Sequence, residues 1–214
     1  MISYKLYNPL GNITALVMGE FDDDERKSIS QKIFEAEPTC EQVGFVCIKD
    51  DVAILTMAGG EFCGNASMCA GLMTGKSKVL CSGNAEVMNV TQDGKFTELF
   101  CKDVPKGIEH TIIIGSPDKE EAEQEIRKET VPSGYMFFEN NVLTPLVYIP
   151  SINTLFWEKA CASGAIATAD YLYYLFGEDI NIDLQLPGGV MNVKVDKNGH
   201  VLREKIEYLC ERSL

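Results

Sequence analysis

Short runs that alternate between apolar and polar residues, or that are mostly apolar, recur along the chain and predict β-strands. In the first half the runs are 2–7, 13–18, 44–49, 52–57, 76–83, 85–92 and 96–101. In the second half they are 111–115, 136–139, 145–150 and two runs on either side of 187–189. These runs predict strands in both halves of the chain.

Two segments have helical rather than strand character. Residues 22–36 begin with acidic side chains, which favour the N-terminus of a helix. Residues 116–129 also begin with acidic side chains, after Ser116 as a candidate N-cap and Pro117 at the first helical position. Residues 200–214 are ambiguous between a helix and an edge strand that returns to the first half of the chain.

Two segments of the chain are similar to each other. Residues 62–71 (FCGNASMCAG) and 160–169 (ACASGAIATA) each place a cysteine just before small residues that open a predicted helix. Cys63 and Cys161 are 98 residues apart, close to half of the 214-residue chain. The echo predicts two similarly built halves, each presenting one thiol at a helix N-terminus, although chance similarity between small-residue segments is the alternative.

Charge and composition exclude several classes of partner. The formal net charge is −13, so nucleic acid and anionic membranes are poor partners. The N-terminal residues show no secretory signal, which predicts a cytoplasmic protein whose eight cysteines are reduced. The two histidines, His110 and His200, are isolated, and the spacing of Cys63 and Cys69 does not suit zinc, so we expect no metal site.

A thiol at a helix N-terminus is suited to acid/base chemistry. The unsatisfied N–H groups and the positive end of the helix dipole should lower the pKa of Cys63 and of Cys161 below about 8.5. The same N–H groups can hold a substrate carboxylate. One amino acid between the two thiols could lose its Cα proton to one face and regain it on the other. Packed structural cysteines are the alternative.

Four segments resemble, in order, motifs of the diaminopimelate epimerase family of cofactor-independent racemases. They are Leu10-Gly11-Asn12, Glu61-Phe62-Cys63-Gly64-Asn65, Ala160-Cys161-Ala162-Ser163-Gly164 and Leu186-Pro187-Gly188-Gly189. The resemblance implies an α/β (α+β) fold of two pseudo-symmetric lobes, each a sheet wrapped around a central helix, over residues 1–104 and 105–214. It also implies that Cys63 and Cys161 are the catalytic pair, that no cofactor is needed, and that 200–214 returns to the N-terminal lobe as a strand.

Further segments are similar to the branch of that family that racemises histidine in staphylopine-type metallophore synthesis. They lie within residues 7–12, 40–45, 61–66 and 148–161. The resemblance implies that Glu41 contacts the amine or imidazole of the substrate, with a solvated loop acid as an equal alternative. The full predicted substrate-binding set is Asn12, Glu41, Gln42, Gly64, Asn65, Ala162, Ser163 and Gly164.

One departure from the family affects the expected substrate. The epimerases carry a Glu-Arg-Gly run about nine residues before the second cysteine, where this chain has Ile152-Asn153-Thr154. Without that arginine a distal carboxylate loses its expected partner, which disfavours diaminopimelate. We therefore expect a free amino acid, with histidine favoured and diaminopimelate as the alternative; a homodimer is left open. A small-molecule-binding protein without catalysis is the alternative from another functional class.

Overall fold

The computed structural model describes residues 2–214 and contains fifteen strands, four α-helices and one 3-10 turn in that range. The first half contains β1 (Ser3–Pro9), β2 (Ile13–Met18), α1 (Asp23–Ala36), β3 (Cys40–Lys49), β4 (Val52–Met57), α2 (Gly64–Thr74), β5 (Lys78–Cys81), β6 (Met88–Asp93) and β7 (Phe96–Cys101). The second half contains β8 (Glu109–Ile114), α3 (Lys119–Ile126), β9 (Ser133–Glu139), β10 (Val142–Ile149), the 3-10 turn (Pro150–Ile152), β11 (Thr154–Trp157), α4 (Ala162–Phe176), β12 (Ile180–Leu186), β13 (Gly189–Asp196), β14 (Gly199–Glu204) and β15 (Ile206–Ser213).

The strands form one continuous sheet in the order β15-β1-β2-β3-β4-β5-β6-β7-β14-β13-β12-β10-β9-β8, and β11 pairs with β10. We call β1–β7, β15, α1 and α2 the first lobe, and β8–β14, α3 and α4 the second lobe. The lobes join where β7 pairs antiparallel with β14. The last strand, β15, leaves the second lobe and pairs antiparallel with β1, so the end of the described chain is a strand and not a helix.

Each lobe encloses one apolar helix. Every residue of α2 from Gly64 to Gly71 is buried, and α2 packs against strands of the first lobe. The N-terminal half of α4 is likewise buried, and it packs against β8, β9 and β12–β14 of the second lobe. A helix that is apolar on all sides needs protein around it, which explains why the sheet wraps it. The predicted two-lobed α/β fold is confirmed.

The boundaries of the helices follow local capping chemistry. Helix α1 begins with a capping box in which Asp22 and Glu25 satisfy each other's backbone N–H groups. Helix α3 begins later than predicted, because Asp118 and not Ser116 is the N-cap, accepting the N–H of Glu121 at 3.1 Å. The Ser116 hydroxyl instead donates to Glu139 at 3.0 Å, so it is not available to the helix.

Across residues 2–214, every helix falls short of the length and apolar character that crossing a membrane requires.

Candidate active site

The N-termini of the two enclosed helices face each other across the junction between the lobes. Cys63 is the N-cap of α2, and Cys161 is the N-cap of α4. A side chain on Gly64 would place its Cβ 2.7 Å from the Cβ of Ala162, so the first residues of the two helices are in close contact. This contact brings Cys63 and Cys161, far apart in sequence, to the walls of one cleft.

The cleft is small and almost closed. Its free space is about 30 Å³, which is enough for one or two water molecules but not for an amino acid. Among the described residues, none that lines it is Lys, Arg or His. The lining consists of Phe34, Glu41, Gln42, Val43, Ala58, Glu61, Phe62, Cys63, Gly64, Asn65, Ile108, Val147, Ile149, Ile152, Thr154, Phe156, Glu158, Cys161, Ala162 and Ser163.

A chain of polar contacts connects the two thiols. The Cys63 thiol donates to Oε1 of Gln42 at 2.9 Å, and Nε2 of Gln42 donates to Oε1 of Glu158 at 3.2 Å. The Glu158 carboxyl in turn interacts with the Cys161 thiol. Glu158 is 4% exposed, so its charge depends on its contacts with the Gln42 amide and the Cys161 thiol and little on water. The Gln42–Glu158 contact also links the first lobe to the second.

Burial dominates the protonation of both thiols. It raises the pKa of Cys63 well above its ordinary value, although the Ala66 N–H, which reaches the sulfur at 3.3 Å, opposes the change. Burial, and then the adjacent Glu158 carboxyl, raise the pKa of Cys161 in the same way. The expected lowering of the thiol pKa is therefore wrong for this closed cleft, because loss of water outweighs the helix N-terminus. Both thiols are neutral here at pH 7.

Three carboxyl groups share the cleft with the thiols. Burial raises the pKa of Glu61 to about 7 and that of Glu158 to about 8. Burial also raises the pKa of Glu41, against the opposing effects of Asn12, Lys159 and the Lys159 backbone. Glu61 and Glu158 were not in the predicted site. Glu61 precedes Cys63 by two residues, and Glu158 precedes Cys161 by three. The similarity between the two cysteine segments was therefore the signal that could have identified both carboxyl groups.

The predicted binding residues divide into two groups. Gln42, Glu41, Gly64, Asn65, Ala162 and Ser163 line the cleft with the two cysteines. Asn12 lies behind the wall, where its Nδ2 donates to Oε2 of Glu41 at 2.7 Å. Gly164 also lies behind it, because a Cβ there would fall 2.1 Å from the sulfur of Met136.

Asn65 and Ser163 have defined partners within the cleft. Nδ2 of Asn65 donates to the backbone oxygen of Ala160 at 2.9 Å, which links the start of α2 to the loop before α4. The hydroxyl of Ser163 lies 3.5 Å from the Cys161 sulfur. Asn65 therefore holds the two lobes together, whereas Ser163 contacts a thiol directly.

Solved structures with little sequence similarity share this fold. A PhzC/PhzF protein from Clostridium difficile superposes with a TM-score of 0.64 at 10% identity, covering 100% of this chain and 99% of the other. A probable proline racemase from Agrobacterium radiobacter K84 gives a TM-score of 0.62 at 12% identity, with coverages of 100% and 93%. A hydroxyproline epimerase from Agrobacterium vitis gives 0.63 at 10% identity, with coverages of 99% and 91%.

Similarity of sequence is more specific. A histidine racemase of Fusobacterium nucleatum subsp. nucleatum is 32% identical, covering 77% of this chain and 78% of that protein. A histidine racemase of Staphylococcus aureus is 30% identical, covering 81% of each. The sequence model described as the histidine racemase CntK N-terminal domain matches residues 1–133 and again residues 108–208, so one domain model fits both halves. The resemblance found in the motifs is thus confirmed, and the chain belongs to the histidine racemase family.

Proposed function

We propose that this protein interconverts L- and D-histidine, with Cys63 and Cys161 as the two acid/base groups and with no pyridoxal phosphate or metal. The observation that carries the proposal is the meeting of the two thiols, each at a helix N-terminus, in one cleft between the lobes. A racemase needs a base on one side of Cα and an acid on the other. Two thiols on opposite lobes meet that requirement.

The helix N-termini supply the second part of the mechanism. The substrate carboxylate is held by the free backbone N–H groups at the start of α2 and α4, which carry partial positive charge. As the Cα proton leaves, negative charge spreads into that carboxylate. The contacts to the N–H groups then strengthen and stabilise the planar transition state.

Glu158 provides a place for the proton that one thiol must lose. The Cys161 proton passes to the Glu158 carboxylate, and the resulting thiolate removes the Cα proton of the substrate. The Cys63 thiol donates its proton to the opposite face of Cα. One turnover leaves a thiol at Cys161 and a thiolate at Cys63, which is the arrangement required for the reverse direction.

Substrate entry requires the lobes to separate, because the free space of about 30 Å³ cannot contain histidine. Hydrogen bonds across the cleft must break when the lobes part, among them Gln42 to Glu158, Asn65 to the Ala160 backbone and Ser151 to the Gly59 backbone. Closure over the substrate removes water and so strengthens the electrostatic contacts within the cleft. We place the division between the lobes at residues 104 and 105, between β7 and β8.

Histidine is proposed because the curated relatives are histidine racemases and because the cleft lining disfavours a second carboxylate. Diaminopimelate carries such a carboxylate, and no basic side chain among the described lining residues could receive it. Burying a carboxylate without a cationic partner is unfavourable. All eight cysteines are free in the structure, which fits the reducing cytoplasm as the compartment in which the enzyme meets free amino acids.

Proton exchange in D₂O tests the proposal. The protein is incubated separately with L-histidine, meso-diaminopimelate and other L-amino acids, and Cα deuterium and D-isomer are measured by NMR and chiral chromatography. We expect both signals with histidine. Cys63→Ser and Cys161→Ser should each lower racemisation by about 100-fold or more, because a serine hydroxyl is a far weaker acid than a thiol and does not ionise near neutral pH.

Two results would contradict the proposal. Exchange with diaminopimelate alone would remove histidine as the substrate. Binding of amino acids to the folded protein without any Cα exchange would favour the non-catalytic binding protein instead.

A further inference from the structure

Glu61 is a buried carboxyl that the racemisation steps above do not use. It lies in the loop between β4 and α2, is 8% exposed, and lines the cleft. Within residues 2–214, no donor lies within hydrogen-bonding geometry of its Oε2. A buried carboxylate oxygen without a partner is unfavourable, so this atom is suited to receive a donor from a ligand.

The surroundings of Glu61 define a pocket between the lobes. A Cβ on Gly59 would fall 2.6 Å from Oε2 of Glu61 and 2.5 Å from Cγ2 of Ile149, so Gly59 lets Ile149 of the second lobe pack directly against the Glu61 carboxyl. Val147 and Ile108 add further apolar side chains to the cleft lining. This part of the cleft therefore combines apolar side chains with the Glu61 acceptor, which fits a flat ring that carries an N–H group.

The other two carboxyl groups of the cleft already have assigned contacts. Glu41 accepts Nδ2 of Asn12 at 2.7 Å and also interacts with the backbone N–H of Lys159. Glu158 accepts Nε2 of Gln42 and interacts with the Cys161 thiol. Oε2 of Glu158 also lacks a donor, but that carboxyl lies against the Cys161 thiol whose proton it takes up, so Glu61 is the carboxyl left to bind the side chain of the substrate.

We propose that Glu61 is the specificity-determining residue of the enzyme, accepting a ring N–H of the substrate imidazole in the part of the cleft lined by Val147 and Ile149. This inference rests on the proposed histidine racemase function. It assigns to Glu61 the imidazole contact that the sequence resemblance assigned to Glu41. Glu41 instead fixes the geometry between the lobes through Asn12 and the Lys159 backbone.

The protonation of Glu61 suits this partner. Burial raises the pKa of Glu61 to about 7, close to the value of about 6.5 for an imidazole. A proton shared between two groups of similar pKa gives a hydrogen bond whichever group holds it. An apolar side chain such as that of norleucine would leave Glu61 without a partner, and a side-chain carboxylate would repel it.

Substrate selectivity of Glu61 variants tests the proposal. Rates of Cα exchange are measured for L-histidine, its two ring-N-methyl isomers and L-norleucine. The wild type should prefer histidine and reject at least one methyl isomer, because methylation removes the N–H that Glu61 accepts. Glu61→Leu should lower kcat/KM for histidine by about 100-fold, mainly through KM, and should raise the relative rate of norleucine.

Two further variants separate specificity from structure. Glu61→Gln keeps a neutral acceptor of the same shape, so its preference for histidine should fall between those of the wild type and Glu61→Leu. It also serves if Glu61→Leu does not fold. Glu41→Gln is the matched control, and it should lower exchange of all four substrates by a similar factor.

The possible failures are distinguishable. A wild-type protein that exchanges no histidine would reject the proposed function before any variant is made. Glu61 variants that keep both the histidine preference and the methyl-isomer discrimination would overturn the inference. Loss of that discrimination in Glu41→Gln but not in the Glu61 variants would also overturn it and would return the imidazole contact to Glu41.

Discussion

The two cysteine sites occupy equivalent positions in the two lobes, yet their neighbours differ. Cys63 donates to Gln42, an amide that cannot take up a proton, and it receives the Ala66 N–H. Cys161 makes no capping hydrogen bond from its side chain and lies beside Glu158, a carboxyl that can take up a proton. The two similar lobes therefore supply two thiols at two helix N-termini, and only one of the thiols has a neighbour that can take up its proton.

Glu158→Gln should remove this asymmetry, and it has the largest expected effect on kcat among the variants that retain both thiols. The amide keeps the size of the side chain and its contact with Gln42 but cannot accept the Cys161 proton. We expect kcat to fall by about 10- to 100-fold. In the wild type, activity should rise with pH as Glu158 ionises around its pKa of about 8. In the variant this rise should move to the higher pKa of the thiol.

The measurement is a pH–rate profile of histidine racemisation in both directions. A profile unchanged in Glu158→Gln would show that another group takes up the proton. The pH–rate profile of Glu41→Gln serves as the comparison, because Glu41 contacts neither thiol in the hydrogen-bond chain described above.

Gly64→Ala should disturb the contact that brings the two sites together. The new methyl group would fall 2.7 Å from the Cβ of Ala162, so the helix N-termini must move apart. Overpacking of this kind costs about 1–3 kcal/mol of the free energy of unfolding. Activity should also fall, because both thiols move.

The double variant Gly64→Ala with Ala162→Gly removes the clash from the opposite side. Thermal unfolding and racemisation should both recover towards the wild type in a double-mutant cycle. Additive losses in the double variant would show that the two helix N-termini are not in contact.

Glu204 is a buried carboxyl outside the cleft and can be compared with Glu158. Its substitution has the smallest expected effect on activity. It is fully buried on β14, and burial raises its pKa to about 8, as for Glu158. Because its folded pKa is above the unfolded value, its contribution to stability is present at low pH and is lost as pH rises through about 8. Glu204→Gln should therefore raise the unfolding temperature at pH 9 more than at pH 6.

Racemisation by Glu204→Gln at pH 7 should stay within about twofold of the wild type, because Glu204 is not in the catalytic cleft. A loss comparable to that in Glu158→Gln would contradict the distinction between the two buried carboxyls. A gain in stability that is equal at both pH values would contradict the raised pKa.

The sequence predicted most of the strands, the helix α1 and the two paired cysteine segments, because each depends on local periodicity or capping. It did not predict β11, and the local pattern left β14 and β15 ambiguous between helix and strand. It did not predict Glu158 or Glu61 as site residues, since their importance comes from burial, which depends on the packing of both lobes. The thiol pKa was mispredicted for the same reason. A helix N-terminus is visible in sequence, whereas the loss of water around it is not.

The crossing of β15 back to β1 has a mechanical consequence. The polypeptide passes between the lobes twice, once in residues 102–108 and once at Lys205, between β14 and β15. The β7–β14 ladder runs between these two crossings and also joins the lobes, so the lobes can swing about that line but resist twisting and sliding. Such a hinge would return each sulfur to the same position each time the lobes close. The course of the backbone would thus keep the acid and the base aligned.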